Sequence, residues 1–316
     1  MRWLDPPGKA VMGRWIILTA VLGVVLAGGC AREQPAGSAD GTKGRILRVV
    51  ATTTQVADFA TNVGGDRIRV TNLLKPGIDP HDYEPSPADV EAIAHADLVL
   101  ENGAGLETWL HDTITSSGFH GPLVDTSHGV RLRQLGGATD PHIWQNPRNA
   151  EVMVANIDRA LAAADPADAG VFRANKAAYT RQLQALDAEV QRQIDSLANK
   201  RLVTNHDAFG YYIDRYGLQF VGSVIPSFDT SAELSGRDIR DLVARIKATR
   251  VKAVFSETSL PPRTAETIGR EAGVKVVTGE DALYGDTLGP RGSDGDTYLK
   301  MIRHNTRTIV SNLSGS

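Results

Sequence analysis

Short β-branched runs alternate with amphipathic stretches along most of this chain. Leu47-Arg48-Val49-Val50-Ala51-Thr52 reads as a strand, Ala57 to Asn62 as a helix before the Gly64-Gly65 turn, and Ile68 to Leu74 as a second strand. Helix Pro87 to His95, strand Leu98-Val99-Leu100, helix Leu106 to Ile114 and a short strand at Pro122-Leu123-Val124 follow. Past Lys200 the alternation resumes. Leu202-Val203-Thr204, Leu218-Gln219-Phe220-Val221, Val251 to Phe255 and Val274 to Val277 are strand-like, helices Asp238 to Thr249 and Arg263 to Glu271 lie among them, and Thr297 to Leu313 forms the last helix. Such alternation predicts βαβ units and parallel sheets.

Between the two series the period changes. Phe172, Tyr179, Leu183, Leu186, Val190, Ile194 and Leu197 recur at helical spacing, and no Gly or Pro interrupts Val171 to Lys200. The pattern predicts one long helix over Pro166 to Asn199, with Asp165 as its cap and Pro166 at its first position. A coiled-coil dimer is the rival use of such a stripe. The expected architecture is α/β: two lobes with parallel sheets, 46–165 and 201–316, joined by a linking helix over 166–200.

The 316 residues suit about two domains. Composition is that of an ordinary globular protein, 41% hydrophobic and 22% charged, and a net charge of −3 leaves no basic stripe for nucleic acid. One cysteine, Cys30, excludes both a disulfide framework and a cysteine-based zinc cluster. Its place carries the information. Arg2, Lys9 and Arg14 precede an apolar run from Trp15 to Leu26, and Ala27-Gly28-Gly29 lead into Cys30. That is the form of an export signal over 1–29, with a run shorter than the roughly 20 residues of a spanning helix. The small residues before Cys30 resemble a bacterial lipobox, although Leu26 stands one place further from the cysteine than is usual. Residues 30–45 are polar and small, as a flexible tether would be.

Eight histidines are present. His95, His111, His120, His128 and His304 occur singly in helices or polar loops, where a surface or packing role is expected. The other three have a shared context. His81 and His142 each complete an Asp-Pro-His triplet, and His206 stands in Asn205-His206-Asp207 directly after a strand. Proline fixes φ, so the following side chain leaves a rigid turn in a defined direction. The nearby aspartate can take the ring N–H that orients a metal-bound imidazole. His81 and His206 also follow the carboxyl ends of strands, where α/β folds bind ligands.

These residues, with their surroundings, resemble the zinc- and manganese-binding solute-binding lipoproteins of bacterial ABC importers, over about Val49 to Leu313. The matching stretches are Pro76 to Pro87, Asp140 to Pro147, Asn205 to Tyr212, Leu283 to Gly289 and Asp296 to Asn305. The resemblance implies four metal ligands, His81, His142, His206 and Asp286, with Asp281 as the alternative fourth. It also implies a cleft between two α/β lobes bridged by a rigid helix, one transported zinc or manganese ion, a permease partner, and lipidation of Cys30 that holds a monomer at the extracytoplasmic face of the membrane. No ligand role is assigned to the family-like segment Ile225 to Ser235, whose Ser235 reads as a helix cap.

Three imidazoles and one carboxylate suit zinc, whereas manganese prefers more oxygen. Members of that family with two carboxylates tend toward manganese, yet the His-rich loop common in the zinc branch is missing from Gly118 to Thr139. Both metals therefore stay open. Two other functions remain, a secreted zinc hydrolase and a surface adhesin on the same scaffold. The chain lacks His-Glu-x-x-His, and Glu257 is the one candidate general base.

Overall fold

The computed structural model describes residues 45–314, so the export signal, most of the tether and Cys30 lie outside the described residues. The first series of strands forms one parallel sheet. β1 (Leu47–Ala51) pairs with β2 (Ile68–Asn72) on one side and β3 (Leu98–Glu101) on the other, and β3 pairs with β4 (Leu123–Asp125). Helices α1 (Thr54–Gly64), α2 (Pro87–Ala94) and α3 (Leu110–Ser117) make the crossovers. Thr53 caps α1, and Ser86 with Asp89 forms a capping box for α2, with Pro87 at its first turn. Helix α3 starts four residues later than the apolar pattern predicts. Gly103, Ala104 and Gly105 all have positive φ, so the chain turns left-handed there, and buried Glu107 accepts the amide hydrogens of Asn102 and Gly103.

A hairpin of β5 (Gln134–Leu135) and β6 (Ala138–Thr139) precedes two packed helices, α4 (Pro147–Ala164) and α5 (Ala169–Asp195). The pattern reading has no α4. Its apolar positions, Met153, Val154, Ile157 and Leu161, are few, and the rest of its inner face is alanine and asparagine. The signal that was available is Asn146-Pro147, since the Asn146 side chain accepts the Arg148 amide and proline occupies the first turn. The presence of α4 also corrects the cap. Asp165 closes α4 at its carboxyl end and holds the Ala167 amide, while α5 begins at Ala169.

The second series runs β7 (Arg201–His206), α6 (Gly210–Tyr216), β8 (Gln219–Ile225), α7 (Gly236–Thr249), β9 (Ala253–Phe255), α8 (Arg263–Ala272), β10 (Lys275–Val277) and α9 (Tyr298–Leu313). Strands β7 and β8 are parallel, as are β9 and β10. Ser235 caps α7 as expected, in a second capping box with Asp238.

The predicted stripe of α5 is buried inside the chain. Phe172, Tyr179, Leu183, Leu186, Val190 and Ile194 join one apolar core with α1, α4 and α9. Near its start α5 meets α1, where the Tyr179 hydroxyl donates to Asp58 at 3.0 Å. Further along, Asp187 accepts Arg148 from α4 and Arg215 from α6. The helix therefore packs against helices of both series. Among the described residues no helix is long and apolar enough to cross a membrane.

Candidate metal centre

Four side chains, three from loops and one from the end of a strand, meet near the carboxyl ends of the strands. His81 lies between β2 and α2. His142 stands between the hairpin and α4. His206 is the last residue of β7, and Asp286 lies in the loop between β10 and α9. One donor atom from each lies within 4.8 Å of all the others. Nε2 of His142 is 3.3 Å from that of His81 and 3.2 Å from that of His206, and Asp286 Oδ1 is 3.3, 3.5 and 3.9 Å from His206, His142 and His81. The imidazoles of His142 and His206, 61 and 125 positions after His81, thus join it in one cluster that could hold a metal ion. Asp281, the alternative carboxylate, is exposed and outside the cluster. His95, His111, His120 and His128 are exposed, and buried His304 bonds the Ala282 carbonyl.

Two of the rings are aimed from behind. Asp140 Oδ1 accepts both the His142 amide, at 3.0 Å, and Nδ1–H, at 2.8 Å. Glu257 Oε1 does the same for His206, at 3.0 Å for both. These bonds assign the proton to Nδ1 and leave the Nε2 lone pair facing inward. Asp79 serves His81 differently. Its Oδ1 takes the His81 amide at 2.9 Å, and Oδ2 accepts the Thr230 hydroxyl at 2.6 Å, tying the first ligand loop to the segment after β8.

The Asp286 loop is fastened by its backbone. Trp144 Nε1 and Gln145 Nε2 donate to the Gly285 carbonyl at 3.0 and 2.8 Å, Gln55 Nε2 donates to the Asp286 carbonyl at 2.9 Å, and Asn305 holds Tyr284. A side chain at 285 would meet Glu257, because a Cβ there would lie 1.8 Å from Oε2. Glycine at 285 therefore allows the fourth ligand and the His206 partner to pass each other. Sequence reasoning missed Glu257 in this orienting role. The signal was its position at the carboxyl end of β9, the same placement that drew notice to His206 after β7.

The electrostatics fit a cation. Asp286 is fully buried, and its Oδ1 has no hydrogen-bond partner among the described residues. A buried, unpaired carboxylate oxygen is costly unless a positive charge faces it. Burial pushes the His81 imidazole down to about 4. Burial also pulls at His206, but Asp286 and Glu257 outweigh it and hold that ring well above the ordinary imidazole range. Burial likewise opposes ionisation of Asp286, yet His206, His142 and His81 keep its carboxyl well below the usual range. The pocket thus stabilises positive charge, carried by protons when nothing else supplies it.

Residues 49–312 match the family described as zinc-uptake complex component A, periplasmic (ZnuA). The chain belongs to this family. Its similarity to curated relatives runs nearly end to end. It is 33% identical over 308 residues to the manganese-binding lipoprotein MntA of Bacillus subtilis (strain 168), spanning 94% of this chain and 98% of the relative. It is 30% identical over 311 residues to the manganese ABC transporter substrate-binding lipoprotein PsaA of Streptococcus pneumoniae TIGR4, with the same shares. Among solved structures, the periplasmic zinc-binding protein TroA of Treponema pallidum superposes with a TM-score of 0.80 at 31% identity, covering 86% of this chain and all of TroA. The α/β fold with parallel sheets expected from the sequence is the fold of this family, and the candidate metal site within it is buried. A member of an uptake complex binds its solute and carries out no reaction on it, so the hydrolase reading is withdrawn.

Proposed function

We propose that the protein is the extracytoplasmic receptor of an ABC importer and that it takes up one divalent transition ion through His81, His142, His206 and Asp286. One observation carries the assignment: three imidazole nitrogens surround a buried carboxylate oxygen that has no hydrogen-bond partner among the described residues. Family membership and the lipoprotein relatives support a lipid anchor at Cys30 and handover to a membrane permease. The lobes are taken as 46–165 and 201–316, with 166–200 as their link.

Zinc is the ion this geometry favours. A tetrahedron with bonds of about 2.0–2.1 Å has edges of about 3.3–3.4 Å. Five of the six donor–donor distances run from 3.2 to 3.9 Å, three of them at 3.2–3.3 Å, and the sixth, between His81 and His206, is within 4.8 Å. Nitrogen-rich sites also bind zinc more tightly than manganese. Manganese is the second reading, favoured by the names of the MntA and PsaA relatives. Purification from detergent-solubilised membranes followed by metal analysis is expected to find one equivalent of zinc, and direct titration should place manganese roughly a hundredfold weaker. Equal or tighter manganese binding would reverse the choice of ion, and no bound metal at all would end the receptor reading.

Uptake should also release protons. His206 retains its proton above the ordinary range in the absence of metal, so an ion entering at pH 7 must displace it. Falling pH favours the protonated form, and apparent affinity drops about tenfold per pH unit for each proton displaced. The decline is expected to be under way by pH 7 and to steepen toward pH 6 as His142, also raised, takes up its proton. Calorimetry in buffers of different ionisation enthalpy measures the proton count. A constant affinity from pH 8 to 6 would contradict it.

A further inference from the structure

Behind His142 the hydrogen-bond chain continues to the surface, and no role has yet been given to its next member. Asp140 is fully buried, and while Oδ1 orients His142, Oδ2 receives the Arg133 guanidinium. Arg133 Nε donates to Asp214 on α6 at 2.8 Å, and Asp214 is largely exposed. A second path joins the same pieces. The Arg133 amide donates to the Tyr211 hydroxyl at 2.9 Å, and that hydroxyl donates to the Asp140 carbonyl at 2.9 Å. Tyr211 and Asp214 belong to the helix that follows the His206 loop, while Arg133 leads into the hairpin before His142. Arg133 therefore spans two ligand loops that are far apart in sequence.

Its passage shapes the helix it crosses. Gly210 opens α6, and a Cβ there would sit 1.5 Å from Arg133 Nη1. Glycine at this position leaves room for the guanidinium in the place where it meets Asp140, and a larger residue would displace it. The planar fork suits the task, because one group bonds two carboxylates in fixed directions, which an ammonium cannot do.

We propose that Arg133 is a positioning residue for the metal centre. By holding Asp140 and α6 together it fixes His142 relative to His206 and so sets how slowly the ion is released. This rests on the receptor reading above, and the experiment separates the two. Zinc dissociation from the full chain in detergent is followed with a chelator in excess, and the cobalt(II)-substituted protein is read by its visible spectrum. Arg133→Met is expected to speed release about 10- to 100-fold, the usual cost of losing an orienting partner behind a ligand. It should also shift the cobalt bands, because the His142 bond direction changes. Arg133→Lys should recover part of the retention, and Gly210→Ala, which keeps the charge but blocks its path, should mimic Arg133→Met. Thermal unfolding of the metal-free forms identifies a variant that does not fold, in which case Gly210→Ala and Arg133→Lys decide. Release rates and cobalt spectra within twofold of the parent in the folded variants would overturn the Arg133 assignment alone. A parent that binds neither zinc nor cobalt would overturn the receptor reading, and this one with it.

Discussion

Replacing His206 with alanine is expected to abolish useful metal retention, while His120→Ala leaves it unchanged. Four-ligand zinc sites bind with about 10–16 kcal/mol, so each donor carries roughly 3 kcal/mol, a factor of about a hundred or more in affinity. Glu257 accepts both the backbone and ring N–H of this residue and is itself buried, so loss of the ring leaves its carboxylate with the backbone amide alone and lowers stability as well. His120 is exposed and outside the cluster. A chelator competition titration measures both variants. Small and similar effects from the two substitutions would remove His206 from the ligand set.

Trp144→Ala is expected to be the most damaging change to stability among residues that touch the site without binding in it. The indole is fully buried and packs edge-on against His142, with ring centroids 5.3 Å apart. Truncating a buried tryptophan costs about 3–5 kcal/mol through lost contacts and the cavity left behind. Its Nε1 also holds the Gly285 carbonyl, next to Asp286. Two ligands should loosen together, so metal affinity falls as well. Trp144→Phe separates the effects. It keeps most of the packing and loses one hydrogen bond, worth about 1 kcal/mol, with Gln145 still donating to the same carbonyl. Chemical denaturation of the metal-free proteins gives both values. A loss below about 1 kcal/mol for Trp144→Ala would mean that the site does not depend on this packing.

The residues that could be read from the chain and those that could not differ in a physical way. The Asp-Pro-His triplets announce themselves because a turn residue, an orienting carboxylate and a donor are adjacent, so their relation is local. Asp140 performs the orienting role that spacing suggested, whereas Asp79 turns instead to the His81 backbone and Thr230. Glu257 and Arg133 belong to relations that exist only after folding, with partners 51 positions away in one case and 81 in the other. Strands and long helices were legible from their periods. Helix α4 was not, because its four large buried residues, Met153, Val154, Ile157 and Leu161, share the helix with alanines and polar side chains and form a shorter stripe than that of α5. The short α6 was hidden by its polar surroundings and by Gly210, which reads as a turn residue and is there to make room for a side chain.

The stitching of the Asp286 loop has a consequence for the history of each molecule. Its anchors include Gln55, 231 positions earlier, and Trp144, 141 positions before Gly285. A newly made polypeptide passing through a narrow channel has none of these partners within reach, and so no chelating cage. Capture of the cation must wait for the final stages of folding, on whichever side of the channel the finished molecule assembles.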